Sequence, residues 1–281
     1  MTVSIIDAII NFVNDPVILL GREYKSRNRA NNAGDALEEY VKDLFAGTFR
    51  SDDIDRIERH SKVFSYLGNN SNPPDAMLRN GDAIEVKKIE ANDASLALNS
   101  SYPKHTIKSD SPMISEACRV AEDWKEKDML YVVGVVKQNI LCHLAMVYGL
   151  DYCASEQCYA GLKSRISHGV NTINGVYFSE TKELGRVNKV DPLGITYMRI
   201  RGMWGIENPW RTFEYIYKRD FRKRLNFMCL INENKWNRLD GRDRLSRLAA
   251  KNTKLVISDV RIKDPDNPAK LNNAKLITFS V

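Results

Sequence analysis

Two hydrophobic rhythms run along the chain. The first has helical spacing. Residues 4–14 carry Ile5, Ile6, Ile9, Ile10 and Val13 on one side, which predicts a short amphipathic helix. Residues 32–45 form a stronger helix, with Ala33, Leu37, Tyr40, Val41 and Leu44 as its apolar stripe and Gly47 as its stop. On that wheel Glu38 borders the stripe and Glu39 faces away. Further helices are expected over 111–125, 155–168 and 240–251. The second rhythm belongs to strands. Residues 129–136 and 140–148 are apolar and β-branched, and read as central strands joined through Gln138-Asn139. Residues 195–203 alternate, placing Tyr197, Arg199 and Arg201 on one face. Residues 255–262 and 276–281 are late strands. The class is therefore α/β, with a central mixed β-sheet flanked by helices. With no repeat or long linker, residues 1–281 read as one domain.

Residues 72–88, NPPDAMLRNGDAIEVKK, stand out as a hairpin. Asn80-Gly81 predicts a tight turn in which both central residues take positive φ. Alternation then sends Glu85 and Lys87 to one face and Ile84 and Val86 to the other. Asp75 opens the first strand after the rigid Pro73-Pro74, so closing the hairpin brings its carboxylate beside Glu85. Two carboxylates suit a hard divalent cation such as Mg2+. A nearby ammonium group can meet a phosphate oxygen or orient water. Together they suit metal-assisted hydrolysis of a phosphodiester. The competing reading is a solvated hairpin with cross-strand charge pairs. The apolar face of Ala83-Ile84-Glu85-Val86 and the fixed backbone before Asp75 favour a cleft.

Composition adds bounds. A chain of 281 residues can bury a substantial core, and 43% hydrophobic with 28% charged residues is ordinary for a globular protein. Residues 4–13 are too short to span a bilayer and lack a basic leader, so the cytoplasm and no membrane are expected. Five cysteines at irregular spacings speak against a disulfide framework. Cys142, His143, Cys153 and Cys158 lie close in sequence, but without a CxxC pair they read as ordinary thiols and a satisfied core histidine rather than a zinc site. The net charge of +6 suits a polyanion, and residues 22–29 and 217–224 are dense in base. Trp204 and Trp210, flanking Asn208-Pro209, read as packing residues. There is no P-loop, GxSxG, HExxH or dinucleotide fingerprint.

Pro74-Asp75 followed by Glu85-Val86-Lys87 resembles the signature of the PD-(D/E)xK nucleases. Residues 24–31, 34–45, 98–105 and 198–204 extend the resemblance to type II restriction endonucleases of the NgoPII type. That resemblance implies a restriction-endonuclease-like core, a five-stranded mixed sheet flanked by helices, with additions that grip DNA. It implies Mg2+ held by Asp75 and Glu85 with the Val86 carbonyl, Lys87 at the attacking water, and Glu38 as an auxiliary acid. In-line attack by water would leave a 5′-phosphate and a 3′-hydroxyl. The polar segment with Asn99, Ser100, Ser101, Lys104 and His105, alone an ordinary surface loop, becomes a DNA contact near the cut. Arg199 and Arg201 could face a groove, and Arg27 and Arg29 the backbone. The implied partners are double-stranded DNA, a second copy in a homodimer, and a cognate methyltransferase. The implied site is a short GC-rich palindrome, GGCC. Two other readings stay open: a nuclease of the same core in repair or mobile elements, and a non-catalytic DNA-binding protein.

Overall fold

The computed structural model describes residues 2–20, 33–69, 71–181 and 183–281. The chain begins with α1 (Ile5–Asn14), α2 (Ala33–Ala46) and α3 (Asp53–Val63), then β1 (Phe64–Tyr66), β2 (Ala76–Leu78), β3 (Ala83–Ile89), β4 (Leu96–Asn99) and β5 (Thr106–Lys108). The short α4 (Glu116–Arg119) precedes β6 (Glu126–Lys137) and β7 (Ile140–Tyr148), followed by α5 (Gly149–Tyr152) and α6 (Glu156–Asn171). Next come β8 (Tyr177–Phe178), β9 (Gly185–Asn188), β10 (Tyr197–Ile200), β11 (Trp204–Ile206) and α7 (Pro209–Thr212). The chain closes with β12 (Asn226–Asn232), α8 (Glu233–Arg238), α9 (Arg242–Lys251), β13 (Leu255–Lys263) and β14 (Leu271–Ser280).

Among the described residues a nine-stranded mixed sheet runs β1-β2-β3-β6-β7-β12-β14-β13, with β5 added on β6. Two pairings are parallel, β3 with β6 and β7 with β12, and both lie near the middle. Apolar side chains fill both faces. Leu130, Val132 and Leu144 point to the core shared with α1, α2 and α9. Tyr131, Val133 and Ala145 point to a second core with Ile107, Trp210 and Phe213. Strands buried on both faces read as continuous apolar runs, as β6 and β7 do. Their turn has Gln138 and Asn139 both at positive φ, as the tight hairpin predicts.

The helices follow their stripes. Ser4 caps α1 reciprocally with Asp7, and Phe12 packs 4.8 Å from the Phe227 ring. In α2, Leu37, Tyr40, Val41 and Leu44 are buried, and the helix ends just before Gly47. Glu39 does not turn to solvent as the wheel suggested. It meets Lys42 at 2.9 Å and Arg56 of α3 at 2.5 Å, because a second helix lies on that side.

Three other expectations are corrected. The helix expected over 111–125 shrinks to the single turn α4. Arg119 instead donates to the Ser109 and Ser111 carbonyls, and Trp124 Nε1 to Cys118 O at 3.3 Å, so side chains hold this segment as a compact loop. The strand expected over 195–203 breaks after Ile200, and Trp204–Ile206 pairs separately with β4. His143 is buried, but its Nδ1 has no hydrogen-bond partner, so it is not a satisfied core histidine. Burial, with nearby Arg219, pulls its pKa down to about 4. The five cysteines are free thiols. Among the described residues no helix is long and apolar enough to cross a membrane.

Candidate active site

The β2–β3 hairpin is built almost as its sequence predicts. Its turn differs: Asn80 has φ 53°, while Gly81 stays out of the left-handed region. Leu78 N donates to Asp82 O at 2.9 Å, so three residues, Arg79 to Gly81, make the loop. Pairing starts at Met77 with Ala83 and Ala76 with Ile84, and Asp75 N reaches Ile84 O at 3.0 Å. Beyond that point the first strand turns away. Val86 N–H, left without a strand partner on that edge, donates to Asp75 Oδ2 at 2.7 Å. In a strand the N–H and C=O of one residue face the same edge, so the Val86 carbonyl lies on the edge of β3 that its N–H turns to Asp75. Gly68 makes room for this: a Cβ there would lie 2.3 Å from the Asp75 carbonyl oxygen.

Glu85 and Lys87 share the opposite face from buried Ile84 and Val86. Lys87 Nζ donates to Glu85 Oε1 at 2.6 Å, with both side chains mostly shielded from water. Glu85 Oε2 is buried without a hydrogen-bond partner. An orphaned carboxylate oxygen is costly unless another group completes it. Burial, then the charge of Glu85, pushes the Asp75 carboxyl up to about 7, against the pull of Lys87 and the Val86 N–H. Burial works against the Lys87 ammonium, yet Glu85, Asp75 and Glu38 outweigh it and hold its pKa above the ordinary lysine value. Glu38 of α2 thus acts electrostatically on both Asp75 and Lys87.

The donor set fits a small hard cation. Among the described residues, no three His, Cys, Asp or Glu side chains group as a closed cage. Mg2+ does not need one, since it binds through one or two carboxylates and completes its shell with water and substrate phosphate. Asp75, Glu85 and the Val86 carbonyl could supply the protein's share.

Of the segment after β3, Asn99 and Ser100 are exposed at the end of β4, with Asn99 at φ 54°. Ser101 and Lys104 turn inward. Lys104 Nζ donates to Ser101 Oγ and, at 3.0 Å, to Tyr102 O. His105 Nε2 donates to Cys153 O at 2.5 Å. Arg199 lies on β10 of the separate sheet β10-β9-β8 and Arg201 just beyond the end of that strand, and both pair with Glu183. Arg27 and Arg29 lie outside the described residues. In the basic run 217–224, Arg219 is engaged with Asp93 and Arg222 with Asp220. Sequence reasoning missed the aromatic cluster of Tyr102, Tyr159 and Trp204, whose rings lie 5.6–5.9 Å apart. It also missed Tyr131, the register partner of Glu85. The strand register reveals Tyr131, and the tertiary packing of a loop, a helix and β11 reveals the cluster.

Comparison with known proteins adds an independent line. No solved structure matches the chain. It is 62% identical over 277 residues to the type II restriction enzyme NgoPII of Neisseria gonorrhoeae, covering 98% of this chain and 99% of that protein. The NgoPII restriction endonuclease family matches residues 3–263. A metal-compatible acid pair with its lysine, on a chain matched nearly end to end, leads to one conclusion: this protein belongs to the NgoPII restriction endonuclease family, a family of type II restriction enzymes.

Proposed function

We propose that this type II restriction enzyme is a PD-(D/E)xK nuclease that uses Mg2+ to cut both strands of DNA at a short GC-rich palindrome, GGCC. The observation that carries the reading is Glu85 Oε2, buried and unpartnered beside the raised carboxyl of Asp75. Lys87 offsets only one of the two repelling carboxylates and leaves Glu85 Oε2 without a partner, and a divalent cation would supply the remaining positive charge. Asp75 and Glu85 hold the metal, with the Val86 carbonyl as third ligand. Held there, a metal would supply polarisation of the scissile phosphate and a more acidic water. Lys87 orients the attacking water and steadies charge on the phosphate. Glu38 tunes the pair through its field. Attack in line leaves a 5′-phosphate and a 3′-hydroxyl. The core is restriction-endonuclease-like and residues 1–281 form one unit, with Asn99, Ser100, Arg27, Arg29, Arg199 and Arg201 among its DNA contacts.

Cutting both strands of a palindrome calls for two sites related by a two-fold axis, so the enzyme works as a homodimer. It works in the cytoplasm beside a cognate methyltransferase that protects host DNA. The test is incubation with unmethylated phage DNA, with Mg2+ or EDTA, beside Lys87→Ala. Discrete fragments with wild type and Mg2+ alone are expected, and sequencing their ends gives the site. A Lys87→Ala protein that cuts at the wild-type rate would sink the site assignment. Tight binding without any cleavage of unmodified DNA would move the protein to the DNA-binding reading.

A further inference from the structure

Lys104 is built into the structure with unusual care for a loop lysine. Its backbone N–H donates to the Tyr131 hydroxyl at 2.8 Å. Tyr131 stands directly opposite Glu85 in the parallel β3–β6 register, so both side chains leave the sheet on the same face. The next residue is fixed as well, since His105 O accepts from Met129 N at 2.9 Å. Gly149, at the start of α5, lets the backbone lie close: a Cβ there would sit 2.0 Å from the Lys104 carbonyl oxygen. The side chain is held too, by Ser101 Oγ and Tyr102 O, with Nζ 5.0 Å from the centre of the Tyr102 ring.

An ammonium carries three donors, and these partners use two. Burial pulls the Lys104 pKa below the ordinary lysine value, and Glu85 and Glu156 are the main charges that oppose this. Lys104 therefore sits within electrostatic reach of Glu85, on the side of the sheet that carries Lys87. A half-buried lysine held by neutral oxygens, with one donor left, suits an anionic oxygen brought by a ligand.

We propose that Lys104 is a second substrate-binding cation of the active centre, donating to a non-bridging oxygen of the DNA phosphate at the cutting position, and that Tyr131 is its positioning residue. This rests on the nuclease reading of Asp75, Glu85 and Lys87 and goes beyond it by giving the reacting phosphate a ligand from outside the hairpin. Lys104 meets the charge that grows on the phosphate oxygens during attack. Tyr131 ties its backbone to the strand beside Glu85.

The test uses the full chain, with Ca2+ replacing Mg2+ for binding and Mg2+ for single-turnover cleavage. Lys104→Met is expected to slow the single-turnover step about 100-fold, as loss of one charge-stabilising donor does. It should also reduce the slope of log affinity against log salt by about 0.9, one phosphate contact. A merely structural lysine would leave that slope alone. Wild-type rate and slope in folded Lys104→Met overturn the proposal. Should Lys104→Met fail to fold, Tyr131→Phe decides. It keeps the ring and the lysine but removes the acceptor, and should slow cleavage about tenfold through misplacement. An unchanged rate in Tyr131→Phe then overturns the proposal. Glu85→Ala, run alongside, separates the two readings. If it still cuts, the site itself is wrong, whereas loss of cutting there with none in Lys104→Met removes only this inference.

Discussion

Strands β6 and β10 are both rich in apolar and aromatic residues, yet they end in opposite surroundings. From Met129 to Val136, β6 is buried on both faces, between two cores. β10, with Tyr197, Met198 and Ile200, is largely exposed, and α6 beside its sheet has no buried residue. Leu193 and Ile195 in the connecting loop are 81% and 76% exposed. The difference lies in neighbours rather than composition. β6 is flanked by strands on both sides and covered on both faces, whereas β10 is the edge of a three-stranded sheet. Glu85 and Lys87, of the proposed site, hang from β3, a strand of the first kind, flanked by β2 and β6. Arg199, paired with Glu183, hangs from the second, with Arg201 just past its end, where few buried contacts resist local motion.

The sharpest way to break that contrast is at the hairpin. Asp75→Ala or Lys87→Ala should lower cleavage by about 10³-fold or more, with the melting temperature little changed and much DNA affinity kept. Single-turnover rates beside Ca2+ binding would check it. Next comes the central core. Leu144→Ala, in a fully buried position of β7, should cost about 3 kcal/mol in urea unfolding.

The Asp75 carboxyl gives a pH handle. Its pKa is raised to about 7, so its contribution to metal-free stability is present in full below the ordinary carboxylate range. That contribution is lost as pH rises through about 7. In the proposed site metal binding would run the other way, because a cation needs the carboxylate. Its affinity should weaken about tenfold per pH unit below 7, one proton displacing one charge. Calorimetric titration at several pH values checks this, and Asp75→Asn should abolish the dependence. Smallest of all, Ile195→Ala or Arg199→Ala should change stability by less than about 0.5 kcal/mol, since neither is buried. A large loss of melting temperature there would erase the contrast.

What could be read from the chain alone was local. Alternation in 83–89 places Glu85 and Lys87 together, and Gln138-Asn139 announces the β6–β7 turn. Period two also puts Arg199 and Arg201 on one face, but nothing local says that Glu183 claims both. The α4 region misled because its helical spacing competes with side-chain bonds from Arg119 and Trp124 that no periodicity encodes. Tyr131 was out of reach for another reason. It gains meaning only through the parallel register that sets it against Glu85, across a separation no turn residue specifies. The acid pair is a property of one hairpin, and its surroundings are a property of the whole sheet.

The ends of that sheet bear on how two copies could meet. At one end β1 is three residues long and slips register against β2. At the other, β13 sets Asp259, Arg261 and Lys263 in alternation along its exposed side. Short, irregular or charged margins resist strand addition. A continuous sheet running from one molecule into the next is therefore disfavoured at both ends. The same margins guard a chain so rich in buried strands against fibrous self-association at the concentrations of overexpression.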